Sequence, residues 1–161
     1  MYLNCKTYFS FRYGTFGTEE LVTAGAEAGA TAMALTNINN TCDAWDFYTF
    51  CLEAQIKPVL GAEIRNGDAL CYLLLARDCG GFMAINRFLS LHLQSGTPFP
   101  ERPELPDQIW IVYPLGKHPP QALSAQELIG VMPSEVNRLY DQQAGRWPDK
   151  YVVRQPVTFQ D

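Results

Sequence analysis

Short apolar segments alternate with amphipathic segments along the first 64 residues, and this alternation limits the possible folds more than any other feature. Tyr2–Cys5, Ala32–Leu35 and Lys57–Ile64 have the length and apolar content of strands. The apolar spacing between them predicts two helices, the first of which Thr18 caps. Strands that alternate with helices predict a mostly parallel sheet or barrel with its helices outside, an α/β fold.

The second half of the chain continues the pattern with one reversal of direction. The Asn66-Gly67 pair predicts a hairpin whose return strand is Ala69–Ala76, and Gly80-Gly81 predicts a break before a third helix. Ser95–Pro106 contains four prolines and is expected to be an ordered loop inside one domain that spans residues 1–161. The remaining predicted elements are strands at Ile109–Tyr113 and Leu128–Met132, a helix that Ser134 caps and that continues to about Gln143, and a last strand at Tyr151–Arg154.

Composition and charge argue against several classes of protein. The five cysteines are an odd number and lack a CxxC pair, so packing thiols are favoured over a disulfide framework. The formal net charge of −5, with lysines and arginines scattered singly, argues against direct binding of DNA, which an attached domain would have to provide. No run reaches the roughly 20 apolar residues of a membrane span and no signal peptide is evident, so we expect a cytoplasmic protein.

Three stretches of sequence have an unusually specific order and spacing. They are Ser10–Gly14 followed by Glu19–Val22, Ala34–Asn37 with Asn40, and Ile56–Glu63. In this order they resemble the PHP (polymerase and histidinol phosphatase) domain that opens the alpha subunit of bacterial DNA polymerase III, a family C DNA polymerase. The resemblance is collinear over nearly the whole chain and implies a PHP-type distorted (β/α) barrel with outer helices.

The resemblance also indicates where metal-binding members of the family carry their ligands. The corresponding positions here are Asn4, Lys6, Tyr13, Asn37, Ile38, Glu63, Cys71, Pro114, Pro156 and Thr158. Glu63 alone keeps the family's ligand, and a lone carboxylate cannot hold two or three divalent ions. We therefore expect no metal, no other cofactor and no catalytic residue in this chain. Cys71 could ligate one soft metal, but a packing thiol is the favoured interpretation.

Lys6 lies where the family's cations would be expected, and its ammonium could replace them. We predict that Lys6 pairs with Glu63 and with Asn4 or Asn37, which would turn the metal site into a polar plug. The alternative is a solvated Lys6 that points outward. A nearby aromatic cluster is predicted to pack over the barrel mouth rather than to stack on bases, and its members are Tyr8, Phe9, Phe11, Tyr13 and Phe16.

The resemblance implies a function within a longer chain. The parent would be a DNA-directed DNA polymerase, a nucleotidyltransferase that uses magnesium at aspartates of a palm domain absent from this sequence. In the family, the PHP domain packs beside the palm and thumb, and in some members it docks a separate proofreading exonuclease. The abrupt end at Asp161 is expected of a piece of such a chain. Two alternatives remain open: a metal-dependent phosphoesterase or 3′–5′ exonuclease with a relocated site, and a free-standing interaction protein.

Overall fold

A computed structural model describes residues 1–139 and 144–158 of the chain. Its three α-helices and first seven strands follow one another in the predicted order, and a short eighth strand was not predicted. Their bounds are β1 Tyr2–Cys5, α1 Thr18–Glu27, β2 Ala32–Leu35, α2 Ala44–Glu53, β3 Lys57–Asn66, β4 Ala69–Ala76, α3 Cys79–Ser95, β5 Ile109–Pro114, β6 Glu127–Val131, β7 Tyr151–Val153 and β8 Pro156–Val157. Short 3₁₀ segments occupy Pro120–Ala122, Pro133–Leu139, Ala144–Arg146 and Pro148–Lys150.

The strands form one sheet in the order β7-β6-β5-β4-β3-β2-β1-β8. Strand β4 runs antiparallel to its neighbours β3 and β5, because the Asn66-Gly67 turn returns the chain directly beside β3. The other five neighbouring pairs are parallel. The predicted hairpin and the mostly parallel sheet are therefore confirmed.

One continuous stretch, residues 151–157, supplies the strands at both ends of the sheet order, β7 and β8. Tyr151 lies opposite Ile129 of β6, and Pro156 lies opposite Asn4 of β1. Because strands at opposite ends of the order are neighbours in sequence, the sheet curls around on itself. Its interior is an apolar cluster with side chains from seven strands, which include Leu3, Ala34, Val59, Leu73, Val112, Leu128 and Val152. This arrangement is the expected distorted barrel.

The helices cover the outside of the curled sheet with two further apolar clusters. Helices α1 and α2 bury Leu21 and Phe47 against the β1–β2 side, and α3 buries Ile85 against the β3–β5 side. Gly25 lets α1 approach the sheet closely, since a Cβ added there would lie 2.1 Å from Sδ of Met33. The helices thus fix the strand ends from outside, as the alternating pattern predicts.

Two predicted helix starts are wrong in detail. The N-cap of α1 is Gly17, whose N–H donates to Glu20 Oε2 at 2.9 Å, while the hydroxyl of Thr18 turns inward instead. Gly80-Gly81 is not a break but lies in the first turn of α3, because Asp78 accepts from the N–H of Gly81 at 2.8 Å and caps the helix.

The region after β6 also differs from the prediction. Pro133–Leu139 is a 3₁₀ segment rather than an α-helix, and residues 140–143, including Gln143, lie outside the described part of the chain. The predicted last strand ends at Val153 and is followed by β8, because the sheet changes partner from β6 to β1 there. The predicted strand at Leu128–Met132 is confirmed one residue earlier, as Glu127–Val131.

The proline-rich loop begins at Gly96, one residue later than predicted, because Ser95 still belongs to α3, and it extends to Pro106. Phe99 is buried, and its backbone N–H and C=O bond the side-chain amide of Asn66 at 2.9 Å each. Arg102 reaches the buried carboxylate of Glu127 with its Nε at 2.8 Å. In the residues that the structure describes, no helix is long and apolar enough to cross a bilayer.

Candidate functional site at the polar end of the barrel

A buried ion pair joins the end of β1 to the middle of β3. Nζ of Lys6 lies 2.7 Å from Oε2 of Glu63 and donates a hydrogen bond to Oδ1 of Asn4 at 2.8 Å. The Lys6 and Glu63 side chains are 2% and 1% exposed. The predicted pairing of Lys6 with Glu63 and Asn4 is confirmed, and the outward-pointing alternative is wrong.

A second cation, Arg65, binds the other oxygen of the same carboxylate. Its Nε donates to Oε1 of Glu63 at 2.6 Å, and its guanidinium lies over the ring of Tyr13, 4.3 Å from the centroid. Arg65 was not among the residues predicted for the site. Alternate strand residues share a face, so its position two residues after Glu63 was the available signal.

The charges in this cluster shift one another's pKa values. Burial raises the pKa of Glu63, but the attraction of Lys6 and Arg65 outweighs it, and the net shift is downward. Burial lowers the pKa of Lys6, the attraction of Glu63 opposes this, and repulsion from Arg65 and Arg154 adds to the lowering, so the net shift is downward. The carboxylate is therefore strongly held in its ionised form, in surroundings where positive charge is in excess.

Asn37 is the centre of a separate buried hydrogen-bond network. Its Oδ1 accepts from the Thr7 N–H at 3.0 Å and from the Ser10 hydroxyl at 2.6 Å, and its Nδ2 donates to Oδ1 of Asp43 at 2.7 Å. The other Asp43 oxygen accepts from the hydroxyls of Thr7 and Thr18 at 2.7 and 2.9 Å. This network fixes the loop after β1 against α1 and α2, and it uses both ends of the Asn37 amide.

The other predicted positions lie around these groups with different partners. Backbone pairing places Ile38 beside Glu63 and Pro156 beside Asn4. The Cys71 thiol is partly exposed and bonds the Ala69 carbonyl, and Pro114 ends β5. The hydroxyl of Tyr13 lies 3.3 Å from Oδ1 of Asp68, and the Thr158 carbonyl accepts from the N–H of Thr15 at 3.1 Å. Within residues 1–139 and 144–158, no three His, Cys, Asp or Glu side chains come together as a metal would require.

The exposed part of the loop after β1 contradicts one prediction. Tyr8, Phe9 and Phe11 are exposed, the last by 83%, and only Phe16 of the predicted aromatic cluster is buried. The reason is that Thr7 and Ser10 direct their hydroxyls inward to Asn37, which turns the neighbouring aromatic side chains outward. The expected packing of these rings over the barrel mouth is therefore wrong for three of the five.

Arg154, another residue that the sequence analysis did not assign to the site, extends from the 151–157 stretch into the barrel. It is 6% exposed, and its stem packs on Gly130, where an added Cβ would lie 3.0 Å from Cβ and Cδ of Arg154. Its charge acts on both Lys6 and Glu63. Its nearness in space could not be read from sequence, because it depends on the closure of the sheet.

A curled, mostly parallel sheet with helices on its outside and buried charges gathered beyond its apolar interior defines a protein of the α/β-barrel class. The model of the PHP domain family matches residues 3–137, and the chain belongs to this family.

Several sequence relatives of the chain are DNA polymerases. It is 33% identical over 97 residues to the error-prone DNA polymerase of Aromatoleum aromaticum, covering 59% of this chain and 9% of that protein. It is 30% identical over 118 residues to DNA polymerase III subunit alpha of Haemophilus influenzae, covering 70% and 10%. The chain thus spans about a tenth of the length of these relatives. A solved structure from Bifidobacterium adolescentis, assigned as a metal-dependent phosphoesterase, gives a TM-score of 0.45 at 22% identity, over 58% of this chain and 31% of that one.

Proposed function

We propose that this chain is a PHP domain with a degenerate metal site, and that it serves as a structural or docking module at the N-terminus of a DNA polymerase III alpha-type enzyme. The observation that carries the proposal is the contact between Lys6 and Glu63 at 2.7 Å. An ammonium group bonded to the one remaining family ligand occupies the coordination position that a divalent ion would need.

The donor set of the site does not fit the metals of the family. Both oxygens of Glu63 are already bonded to cations, and the amide oxygens of Asn4 and Asn37 already accept hydrogen bonds. Ile38, Pro114 and Pro156 offer no side-chain ligand atoms at all. A divalent cation would also face repulsion from Lys6, Arg65 and Arg154. The same ion pair that excludes the metal ties β1 to β3, which is a structural role.

The relatives supply the context of the proposal. Proteins named DNA polymerase III subunit alpha and error-prone DNA polymerase carry the matching region within much longer chains. In the parent enzyme, magnesium-dependent nucleotide addition would belong to the palm, and this domain would pack against the palm and thumb or dock a proofreading exonuclease. A cytoplasmic location and the assignment of residues 1–161 to one PHP domain are parts of the same proposal.

Metal content and phosphodiester hydrolysis test the proposal together. The purified chain is incubated with manganese or zinc, passed through gel filtration and measured by elemental analysis and with a chromogenic phosphodiester. We expect no ion to be retained in stoichiometric amount and no hydrolysis above that of an EDTA-treated sample. Retention of ions together with turnover would refute the degenerate site and favour the relocated phosphoesterase site. A reading frame that stops at Asp161 would instead favour the free-standing interaction protein.

The docking role is tested in the full-length polymerase. Lys6→Met should lower its melting temperature, or its retention of the exonuclease subunit, while nucleotide addition on primed DNA at low temperature is unchanged. Loss of polymerisation at that temperature, with the fold intact, would contradict a purely structural role.

A further inference from the structure

The barrel interior is open at the end opposite the Lys6–Glu63 pair. A cavity of about 430 Å³ lies there, with walls from β1, β3, β4, β5, β6 and β7. Lys57, at the rim of the cavity, begins β3 six residues before Glu63, so the two ends lie about 20 Å apart along that strand. The volume falls within the range of roughly 300–1,000 Å³ that small-molecule sites occupy.

The walls of this cavity are aliphatic side chains of the barrel interior. Leu3, Val59, Leu128 and Val152 belong to the interior apolar cluster, yet each of them is only partly buried. In small barrels the inward-facing side chains normally fill the interior. Here they leave a concave apolar surface in contact with water, which favours the binding of a hydrocarbon group.

The rim of the cavity is positively charged, although the whole chain has a net charge of −5. Its charged side chains are Lys57 and Arg77, and no aspartate or glutamate is among its described lining residues. Neither cation has a carboxylate within 4.0 Å in the part of the chain that the structure describes. The Arg77 guanidinium lies 4.8 Å from the ring centroid of Trp110 and donates to the Asp107 carbonyl at 3.0 Å, contacts that hold it at the rim.

We propose that this end of the barrel binds a small amphipathic carboxylate of the fatty-acid type. Its hydrocarbon chain lies against the partly buried aliphatic walls, and its carboxylate stays at the rim beside Lys57 and Arg77. This class of ligand uses both features of the cavity, since a neutral hydrocarbon would leave the cations unused and a hydrophilic anion would leave the walls uncovered. The inference is independent of the proposed function, because Lys6 and Glu63 lie at the opposite end.

Isothermal titration calorimetry of the wild-type chain with hexanoate, octanoate and decanoate tests the site directly. Each ligand is kept below its critical micelle concentration at neutral pH. We expect one carboxylate per chain and an affinity that rises about fourfold for each added CH₂ group, as the burial of a methylene predicts. Absence of saturable decanoate binding, or equal affinity for the three chain lengths, would overturn the proposal.

A ligand of opposite charge tests the role of the rim. Decyltrimethylammonium has a hydrocarbon chain of similar length, and the net charge of −5 attracts it to the protein at long range. Decanoate should nevertheless bind more tightly, because Lys57 and Arg77 lie at the mouth of the cavity. Lys57→Met combined with Arg77→Met should weaken decanoate binding by roughly 3- to 10-fold, since two exposed ion pairs are lost. Tighter binding of the cation to wild type, or unchanged decanoate affinity in the double variant, would refute the proposed contact.

Two adjacent valines of β7 locate the bound ligand. Val152 lines the cavity, whereas Val153 is 67% exposed on the other face of the strand. Val152→Phe puts a ring into the cavity and should weaken decanoate binding by roughly tenfold or more, since several methylenes lose their place. Val153→Phe is the matched control and should bind like wild type.

Unchanged affinity in a folded Val152→Phe variant, or an equal loss in both valine variants, would show that decanoate binds elsewhere and overturn the site. Should Val152→Phe fail to fold, the chain-length series and the Lys57 and Arg77 double variant still decide.

Discussion

Replacement of Lys6 by methionine isolates the charge of the buried ion pair. Methionine keeps an apolar stem of similar length, so the packing of the side chain is largely retained while its ammonium is lost. Removing one partner of a buried pair costs about 3–5 kcal/mol, since the other charge is left uncompensated. Because Arg65 still binds Oε1 of Glu63 at 2.6 Å, we expect the lower end, about 3 kcal/mol.

The assay is urea unfolding at neutral pH, followed by circular dichroism. A loss of about 3 kcal/mol in the free energy of unfolding corresponds to a fall in melting temperature of roughly 6–12 °C for a chain of this size. Lys57→Met is the matched control, since Lys57 is an exposed lysine on the same strand as Glu63 and should change stability by no more than about 0.5 kcal/mol.

A double-mutant cycle separates the pair from its surroundings. Glu63→Gln alone should also destabilise, whereas Lys6→Met combined with Glu63→Gln should lose clearly less than the sum of the single losses, because neither charge is then left without its partner. The reasoning is refuted if Lys6→Met unfolds within about 0.5 kcal/mol of wild type, or if the two losses are simply additive.

Three further predictions concern other parts of the barrel. Hydrogen bonds from Arg102 and Ser124 outweigh burial and lower the pKa of Glu127 from 4.5 to about 2. The ionised Glu127 therefore stabilises the folded protein by an amount of order 3 kcal/mol above pH 4.5, and this stabilisation disappears as the pH falls toward 2. Glu127→Gln should flatten the stability curve in that window, and an unchanged slope would contradict the assignment. Gly14→Ala should destabilise by roughly 1–3 kcal/mol in urea unfolding, since its Cβ would lie 2.1 Å from the backbone oxygen of Thr7; wild-type stability would show that the loop yields easily. Phe11→Ser should leave the melting temperature within about 2 °C, and a larger fall would mean that this ring packs after all.

The sequence predicted the elements that depend on residues close together in the chain, through hydrophobic periodicity or a short turn motif. The strands, the Asn66-Gly67 hairpin and the order of the helices follow from such signals. The pairing of Lys6 with Glu63 was also predictable, since the family register placed both at the polar end of the barrel, on strands separated only by β2. These features depend on few long-range contacts, or on contacts that the resemblance already supplies.

The features that the sequence did not reveal depend on the closure of the sheet and on the direction in which side chains point. Arg154 enters the site because residues 151–157 cross from β6 to β1, and no local pattern encodes that change of partner. The outward turn of Phe11 results from Ser10 bonding inward to a residue 27 positions away in sequence. Gly80-Gly81 was misread because glycine pairs usually interrupt helices, whereas here Asp78 caps the turn that contains them.

The stretch 151–157 also sets the order in which the molecule can be completed during synthesis. Its contact with β1 joins residues about 150 positions apart, so β1 is synthesised long before the stretch that covers its outer edge. Until then, the N–H and C=O groups of that edge remain open to pairing with other chains. A nascent or C-terminally trimmed chain that stops before Tyr151 would therefore carry two such edges, and protection by a chaperone would matter most at that stage.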